Sequence, residues 1–561
     1  MLLTRLVEFT QNRLKVSPVM YASRPVRWLI DLDEKGDFLG ITMLTDGTGR
    51  KNDRGKSMNL PHNTRTGDIK AKLLSDNGEY VLGICGNKKK AKKTQQCHRA
   101  FIALLEDCAK KTDEQSVLAV LKFYEQGSLS IDKIKEKNIQ SKDEITFRVA
   151  NKFPFKPESV RNFWAEKNVE DVNSKGQCII CGKNGPVLQT IPHKIKRIPD
   201  GQTAGNSIIS ANEKPFESYG LKNSLIAPTC PKCAEDFSRG LNYLLEEKGT
   251  HIRVGPSVYV FWTKSESDFS ICDFFKEPKS EQVMALINSV KKVDTGSLGL
   301  DEADFFAVSL SASGARVVVR DYIETTVAEV KTMLSRWFEL QRLVNTDGLD
   351  SDPMAIYPLA ASLYRDANKE MSPHVLPSLV GSAFHGNPLP KWLLSLALNR
   401  NIADRQVTRP RVAIIKMVLY SQKDQNITEV KNMVELDVNS KNQGYQLGRL
   451  MAVLESIQKE ASKGIKSTIT DRFYGSASTA PASVFGRLLS GSKAHLAKIR
   501  KNKKWLYDIL EERLEQVCGQ ITSFPSILKL NDQGMFALGY YHQKADTRKE
   551  IANRSKNKED K

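Results

Sequence analysis

The spacing of apolar residues changes along this chain, and each change marks an element. Arg27-Trp-Leu-Ile-Asp-Leu-Asp and Phe38-Leu-Gly-Ile-Thr-Met-Leu are β-rich runs flanking Glu34-Lys-Gly, which predicts a hairpin. Residues 46–68 are polar and carry glycines, so they read as a loop. Over His98–Lys110 and Ser116–Glu125 the apolar positions recur every three or four residues, the period of a helix. Ser257-Val-Tyr-Val-Phe-Trp reads as a strand. Phe305–Leu310 and Ala315–Arg320, joined by a Ser311-Ala-Ser-Gly turn, read as a second hairpin. From Val327 an amphipathic helix follows, with Val330, Met333, Leu334, Trp337 and Phe338 on one side.

Beyond about residue 350 the strand signal fades. From Met433 the pattern is helical, with one stripe at Leu447, Leu450, Met451, Leu454 and Ile457. A second stripe runs through Leu496, Ile499, Leu506, Leu510, Leu514 and Val517. Both read as core packing. The charged tail after Asp546 is expected to fray. The fold class that follows is α+β: a mixed N-terminal domain with an inserted cysteine-bounded module, then an all-α C-terminal bundle. The expected divisions are 1–175, the module at 176–236, 237–345 as the remainder of the α+β domain, a helical connection at 346–432, and the bundle at 433–561.

Charge adds a partner class. The chain of 561 residues carries 84 Lys+Arg against 65 Asp+Glu, a net +19. A field of this sign favours a polyanion such as nucleic acid. Residues 433–561 contain 22 Lys+Arg and 14 Asp+Glu, a net of 22 − 14 = +8. No apolar run has the length of a membrane span. Arg5 and Glu8 come too early for a signal peptide. A cytoplasmic protein without a membrane partner is expected.

The sharpest local motif is a pair of Cys-x-x-Cys spacings, Cys178/Cys181 and Cys230/Cys233. Four thiolates so spaced can surround one tetrahedral zinc, and Gly182 and Pro231 suit the knuckle turns. Such a closed site staples and does not catalyse. The 48 residues between Cys181 and Cys230 must fold in their own right. The other five cysteines read as reduced thiols. Within the module lie His193 and Asn223, a pattern resembling zinc-stapled HNH endonucleases. The neighbours of His193 are Pro192 and Lys194, however, and no ligand set for Mg²⁺ accompanies it. Arg54-Gly-Lys56-Ser fails as a phosphate-binding P-loop, because Arg50 stands where the first glycine is needed.

Lys88, Lys89, Lys90, Lys92 and Lys93 form a run that an anion would neutralise. With Lys56, Lys194, Lys196 and Arg197 they are the candidate phosphate contacts. The stretch from Gly201 to Asn212, then Phe216-Glu-Ser-Tyr219-Gly, is rich in amides, hydroxyls and glycines. Its Gln202, Thr203, Asn206, Ser207, Ser210, Asn212 and Tyr219 are the candidates for hydrogen bonding or stacking on bases.

These residues carry a resemblance. Pro-His193-Lys-Ile, Gly-Gln202-Thr-Ala-Gly-Asn-Ser-Ile-Ile-Ser-Ala-Asn212, Phe-Glu-Ser-Tyr219-Gly, Asn223 and Ala227-Pro together resemble the large subunit of the type I-C CRISPR effector complex, Cascade. Glu79-Tyr-Val-Leu-Gly, Cys97-His-Arg-Ala-Phe and Gln446-Leu-Gly448-Arg449 do so as well. The resemblance implies a non-catalytic subunit that reads a protospacer-adjacent motif in duplex DNA, promotes strand separation and R-loop formation, and holds the displaced strand. The guide RNA supplies sequence specificity by pairing. The implied partners are the CRISPR RNA, double-stranded target DNA, the backbone and crRNA-processing subunits, and a recruited helicase–nuclease. From Met433 the sequence resembles the family's small subunit, which the resemblance implies is made from an internal start in the same gene, with Met417 and Met451 as the alternative starts. The alternatives are an HNH-like DNA endonuclease and a zinc-stapled nucleic-acid-binding protein acting alone.

Overall fold

The structure is a computed structural model, described here for all residues except 15–19, 48–52, 64–68, 87–90, 127–133, 135–136, 171–173, 212, 266–268, 293–302, 422–432, 463 and 560–561. It divides into two compact units, Met1–Glu246 with Ser311–Val318, and Glu247–Leu310 with Val319–Lys561.

In the first unit the predicted hairpin is β2 (Trp28–Leu32) against β3 (Phe38–Met43), antiparallel. Two of the strands that the pattern does not predict pair with each other. β1 (Tyr21–Val26) pairs antiparallel with β4 (Lys56–Pro61), so part of the expected 46–68 loop is strand. β4 reads Lys-Ser-Met-Asn-Leu-Pro, without the alternation that marks a strand; its order comes from its partner.

β6 (Glu144–Val149) runs parallel to β2 and antiparallel to β5 (Ser75–Asn77), giving the order β3-β2-β6-β5. As an inner strand β6 is buried along almost its whole length. Its Glu144 is held by Arg24 at 3.1 Å and Lys72 at 3.4 Å, since a carboxylate so placed needs cations beside it. The helices Ala91–Thr112, Gln115–Glu125 and Glu158–Glu170 complete this core, with Phe101, Leu105, Val117, Phe123, Phe147 and Trp164 buried.

The second unit carries most of the sheet β12-β11-β10-β9, with β9 His251–Val254, β10 Ser257–Thr263, β11 Asp304–Ser313 and β12 Arg316–Thr326, while the β11–β12 tip Ser311–Val318 belongs to the first unit. The helix Val327–Gln341 leaves the sheet as expected, with Val330, Leu334, Trp337 and Phe338 buried and Thr326 accepting a cap from the Glu329 amide at 3.3 Å. Burying each of those side chains is worth about 1.5–3 kcal/mol, against about 1 kcal/mol for the cap, so packing sets this helix.

The helix Gln443–Ala461 is buried on every side, not along one stripe. Its polar residues are paired inside. Arg449 reaches Gln543 at 3.0 Å and Gln446 at 2.9 Å, and Glu455 accepts from Tyr540 at 2.6 Å. The last helix, Leu530–Glu559, does not end near Asp546 as expected. Phe536 and Tyr540 pack into the core around Gln443–Ala461. Met535, Leu538, Tyr541 and Ala545 enter the core that also holds Leu394, Ile414 and Ile415. Helix clamped on two sides propagates into the charged tail, and Glu550 there pairs with Arg513.

Candidate metal centre and nucleic-acid interface

Each half of the cysteine site is set by a local turn. β7 (Lys175–Gln177) pairs antiparallel with β8 (Asn184–Pro186), and the knuckle between them closes through Gly182 N to Cys178 O at 2.9 Å. Gly182 sits at φ +72°, open to glycine at little cost. Cys230 stands just before the helix Pro231–Leu244, whose Pro231 occupies a first-turn position where no amide hydrogen is needed. The four sulfurs all lie within 4.8 Å of one another, and Cys181 and Cys230 are 3.9 Å apart. A tetrahedral ion with bonds of about 2.3 Å requires sulfurs about 3.8 Å apart, whereas a disulfide requires about 2 Å. The residues therefore fit a single metal ion.

Hydrogen bonding from the Cys233 thiol holds the Cys230 pKa down, favouring its thiolate. The same hydrogen bond, together with burial and the Cys230 charge, pushes Cys233 up. Four thiolates coexist here only around a cation.

Downstream of the first pair the chain is fixed to the β11–β12 turn. Ser207 bridges Arg316 through Ser207 N to Ala315 O at 2.9 Å and Val317 N to Ser207 O at 2.8 Å. Asn206 is 1 % exposed. Its Oδ1 accepts from the Gln202 amide at 3.1 Å and its Nδ2 donates to Gly314 O at 2.9 Å. Asn206 thus has an internal role rather than the base-reading one expected, because both ends of its amide are already used. Ser207 is also buried and accepts from Lys194 Nζ, and Ser210 is half-buried. Gln202 and Thr203 are exposed, and Asn212 lies outside the described residues.

Tyr219 is 97 % exposed. It heads a tight turn closed by Leu221 N to Ser218 O at 2.9 Å, with Tyr219 at φ +51° and Gly220 at φ +73°. Two successive left-handed residues make the hairpin-type reverse turn. A tyrosine in that conformation is held at a cost of about 1–2 kcal/mol. Beside the turn, the Arg316 guanidinium covers the Phe216 ring at 4.0 Å.

Of the candidate phosphate contacts, Lys56, Lys92, Lys93, Lys194, Lys196 and Arg197 are exposed. Lys56 opens β4, and Lys92 and Lys93 lie in the first turn of Ala91–Thr112. Arg197 pairs with Glu246 at 2.7 Å. Lys88, Lys89 and Lys90 lie outside the described residues. His193 is half-buried, its Nε2 has no partner, and burial pushes its pKa down to about 4. Among the described residues the four cysteines are the one group of three or more His, Cys, Asp or Glu side chains placed to hold a metal.

The family model of the CRISPR-associated protein Cas_Csd1 matches residues 3–548. The chain belongs to this family, that of the type I-C large subunit. No curated protein matches it significantly. Membership makes it a CRISPR-associated subunit of Cascade, a complex built with crRNA and other Cas subunits. Among the described residues no helix is long and apolar enough to cross a membrane.

In this Cas_Csd1 chain the first unit also holds a groove of about 890 Å³ that sequence reasoning did not find. Arg24, Arg27, Arg54, Lys137 and Lys142 line it, with Asp53, Asp143 and Glu144. These residues come from three separate stretches, and no spacing in the sequence connects them. Lys214 and Lys222, exposed on either side of the Tyr219 turn, were also passed over. Their flanking of an aromatic in a polar segment was the available signal.

Proposed function

We propose that this chain is the motif-reading, non-catalytic subunit of a type I-C surveillance complex. It reads the protospacer-adjacent motif in duplex DNA through Gln202, Thr203 and Tyr219, with Asn206 bracing the loop that carries them. Lys56, Lys92, Lys93 and Lys196 grip phosphates, positioning the duplex without reading it. Strand separation, R-loop formation, retention of the displaced strand along the basic C-terminal region and recruitment of the helicase–nuclease follow in this reading. The ion of the Cys178/Cys181/Cys230/Cys233 site is zinc, and it fixes the base of the reading loop.

The observation that carries the reading is the fully exposed Tyr219, held in a strained turn between the exposed Lys214 and Lys222, in a chain of this CRISPR-associated family. Solvent alone gives no reason to hold a tyrosine there. Electrophoretic shift of the assembled complex on matched and scrambled motifs tests it. Gln202→Ala and Tyr219→Ala are each expected to lose about 1–3 kcal/mol of discrimination. A preference equal to wild type in both variants would sink the assignment. Asn206→Ala is expected to lower the melting temperature as well as the discrimination, in keeping with a brace.

The HNH-like endonuclease reading finds less support: the His193 ring is depressed by burial, and among the described residues no carboxylate cluster accompanies it.

A further inference from the structure

The second unit contains a pocket of about 390 Å³ whose walls are mostly polar. Arg405 lines it from just beyond the helix Lys391–Asp404, Lys466 from the loop before Ile469–Thr479, and Lys544 and Arg548 from the last helix. Glu455 and Lys459 line it from Gln443–Ala461.

Both acids in this pocket already have partners. Glu455, 4 % exposed, pairs with Lys459 at 2.7 Å and Lys544 at 3.1 Å. Asp471 accepts from the Thr468 amide at 2.6 Å as part of a capping box. Arg405, Lys466 and Arg548 then remain without a carboxylate partner among the described residues, and all three are exposed. Arg405 moreover sits at φ +54°, the helix-ending position that glycine takes without strain. Three cations crowded about a half-enclosed volume repel one another until an anion enters. Two of them are guanidinium forks, which match the paired oxygens of a phosphoryl group. The volume exceeds that of a bare phosphate and lies in the range of pockets that take small organic ligands.

We propose that this pocket seats a phosphodiester of single-stranded nucleic acid, with Arg405, Lys466 and Arg548 as its ligands. The proposal rests on the displaced-strand reading above and assigns it a place. The test uses the full-length chain and a labelled oligothymidylate, with affinity followed by fluorescence anisotropy through a salt titration. R405A/K466A/R548A is expected to bind more weakly, and its log–log salt slope should flatten by roughly 0.7 per lost contact, about 2 in all. Arg405→Gly alone should raise the melting temperature while lowering affinity, opposite directions that a purely structural residue would not show.

Wild-type-like slope and affinity in the triple variant, with steep salt dependence in the parent, would overturn the pocket and leave the displaced-strand reading standing. A parent chain that binds no single strand would remove both. Inorganic pyrophosphate is the competing probe. Pyrophosphate binding that the triple variant abolishes, with strand binding untouched, would overturn the strand assignment in favour of a free phosphate ligand.

Discussion

The cysteine that matters most at the residue scale is Cys230, whose thiolate is favoured at the start of a helix with three other sulfurs around it. An ion held by all four sulfurs would tie the β7–β8 knuckle to the helix Pro231–Leu244, and without it only thiol-to-thiolate hydrogen bonding joins them. Chelation, or Cys178→Ser, is therefore expected to lower the thermal midpoint and release about one metal per chain. Elemental analysis beside the melt checks this, and a metal-free preparation with an unchanged midpoint would contradict it.

Glu455 gives a second prediction at this scale. Burial pushes its pKa up, but Lys544, with Lys459 and Tyr540, pulls it down to about 2. Its folded pKa lies below its unfolded one, so its stabilisation is full above about pH 4.5 and disappears as pH falls through about 2. Lys544→Met removes the strongest opposing charge and is expected to destabilise by about 3 kcal/mol at neutral pH. Lys459 at 2.7 Å and Tyr540 at 2.6 Å still hold the carboxylate, so the stability gap to the parent should narrow as pH falls from neutral toward about 2. Urea unfolding across that range reads this directly.

Among the elements, the contact between Gln443–Ala461 and Leu530–Glu559 is governed by glycine. A Cβ on Gly448 would lie 2.0 Å from Phe536 O, and one on Gly539 would lie 2.0 Å from Tyr445 O. Neither backbone can yield without separating the helices. Gly448→Ala is expected to cost about 1–3 kcal/mol in urea unfolding, although alanine raises helix propensity. A neutral or stabilised variant would show that the helices are less closely set. The sequence marked Gly448 within a recognisable block and gave no reason for it. The reason is a partner helix whose contact residues lie about 90 positions downstream.

On the scale of the whole molecule, the region after Met433 does not close on its own. Met433 itself is buried in the core shared with Ile414 and Ile415, as are Tyr445, Met535, Leu538 and Tyr541. A product started at Met433 would carry that apolar face without its cover. Expressed alone, residues 433–561 are expected to self-associate or bind a hydrophobic dye, and to become monodisperse when a partner surface is supplied. Light scattering decides between this and a stable, dye-silent monomer.

Several features were legible in the sequence because their causes are local. The hairpin β2–β3, the helix Val327–Gln341 and the two cysteine pairs depend on period, turn residues or spacing within a few positions. The family was legible too, since it rests on blocks of contiguous residues. Tertiary structure alone decided the rest. β4 is a strand because β1 lies beside it, and the last helix continues because two cores grip it. Asn206 left the list of base readers because Gly314, 108 residues away, already takes its amide. Composition named the polar groups of the reading loop; whether each faces solvent or another part of the chain depends on contacts that no local pattern encodes.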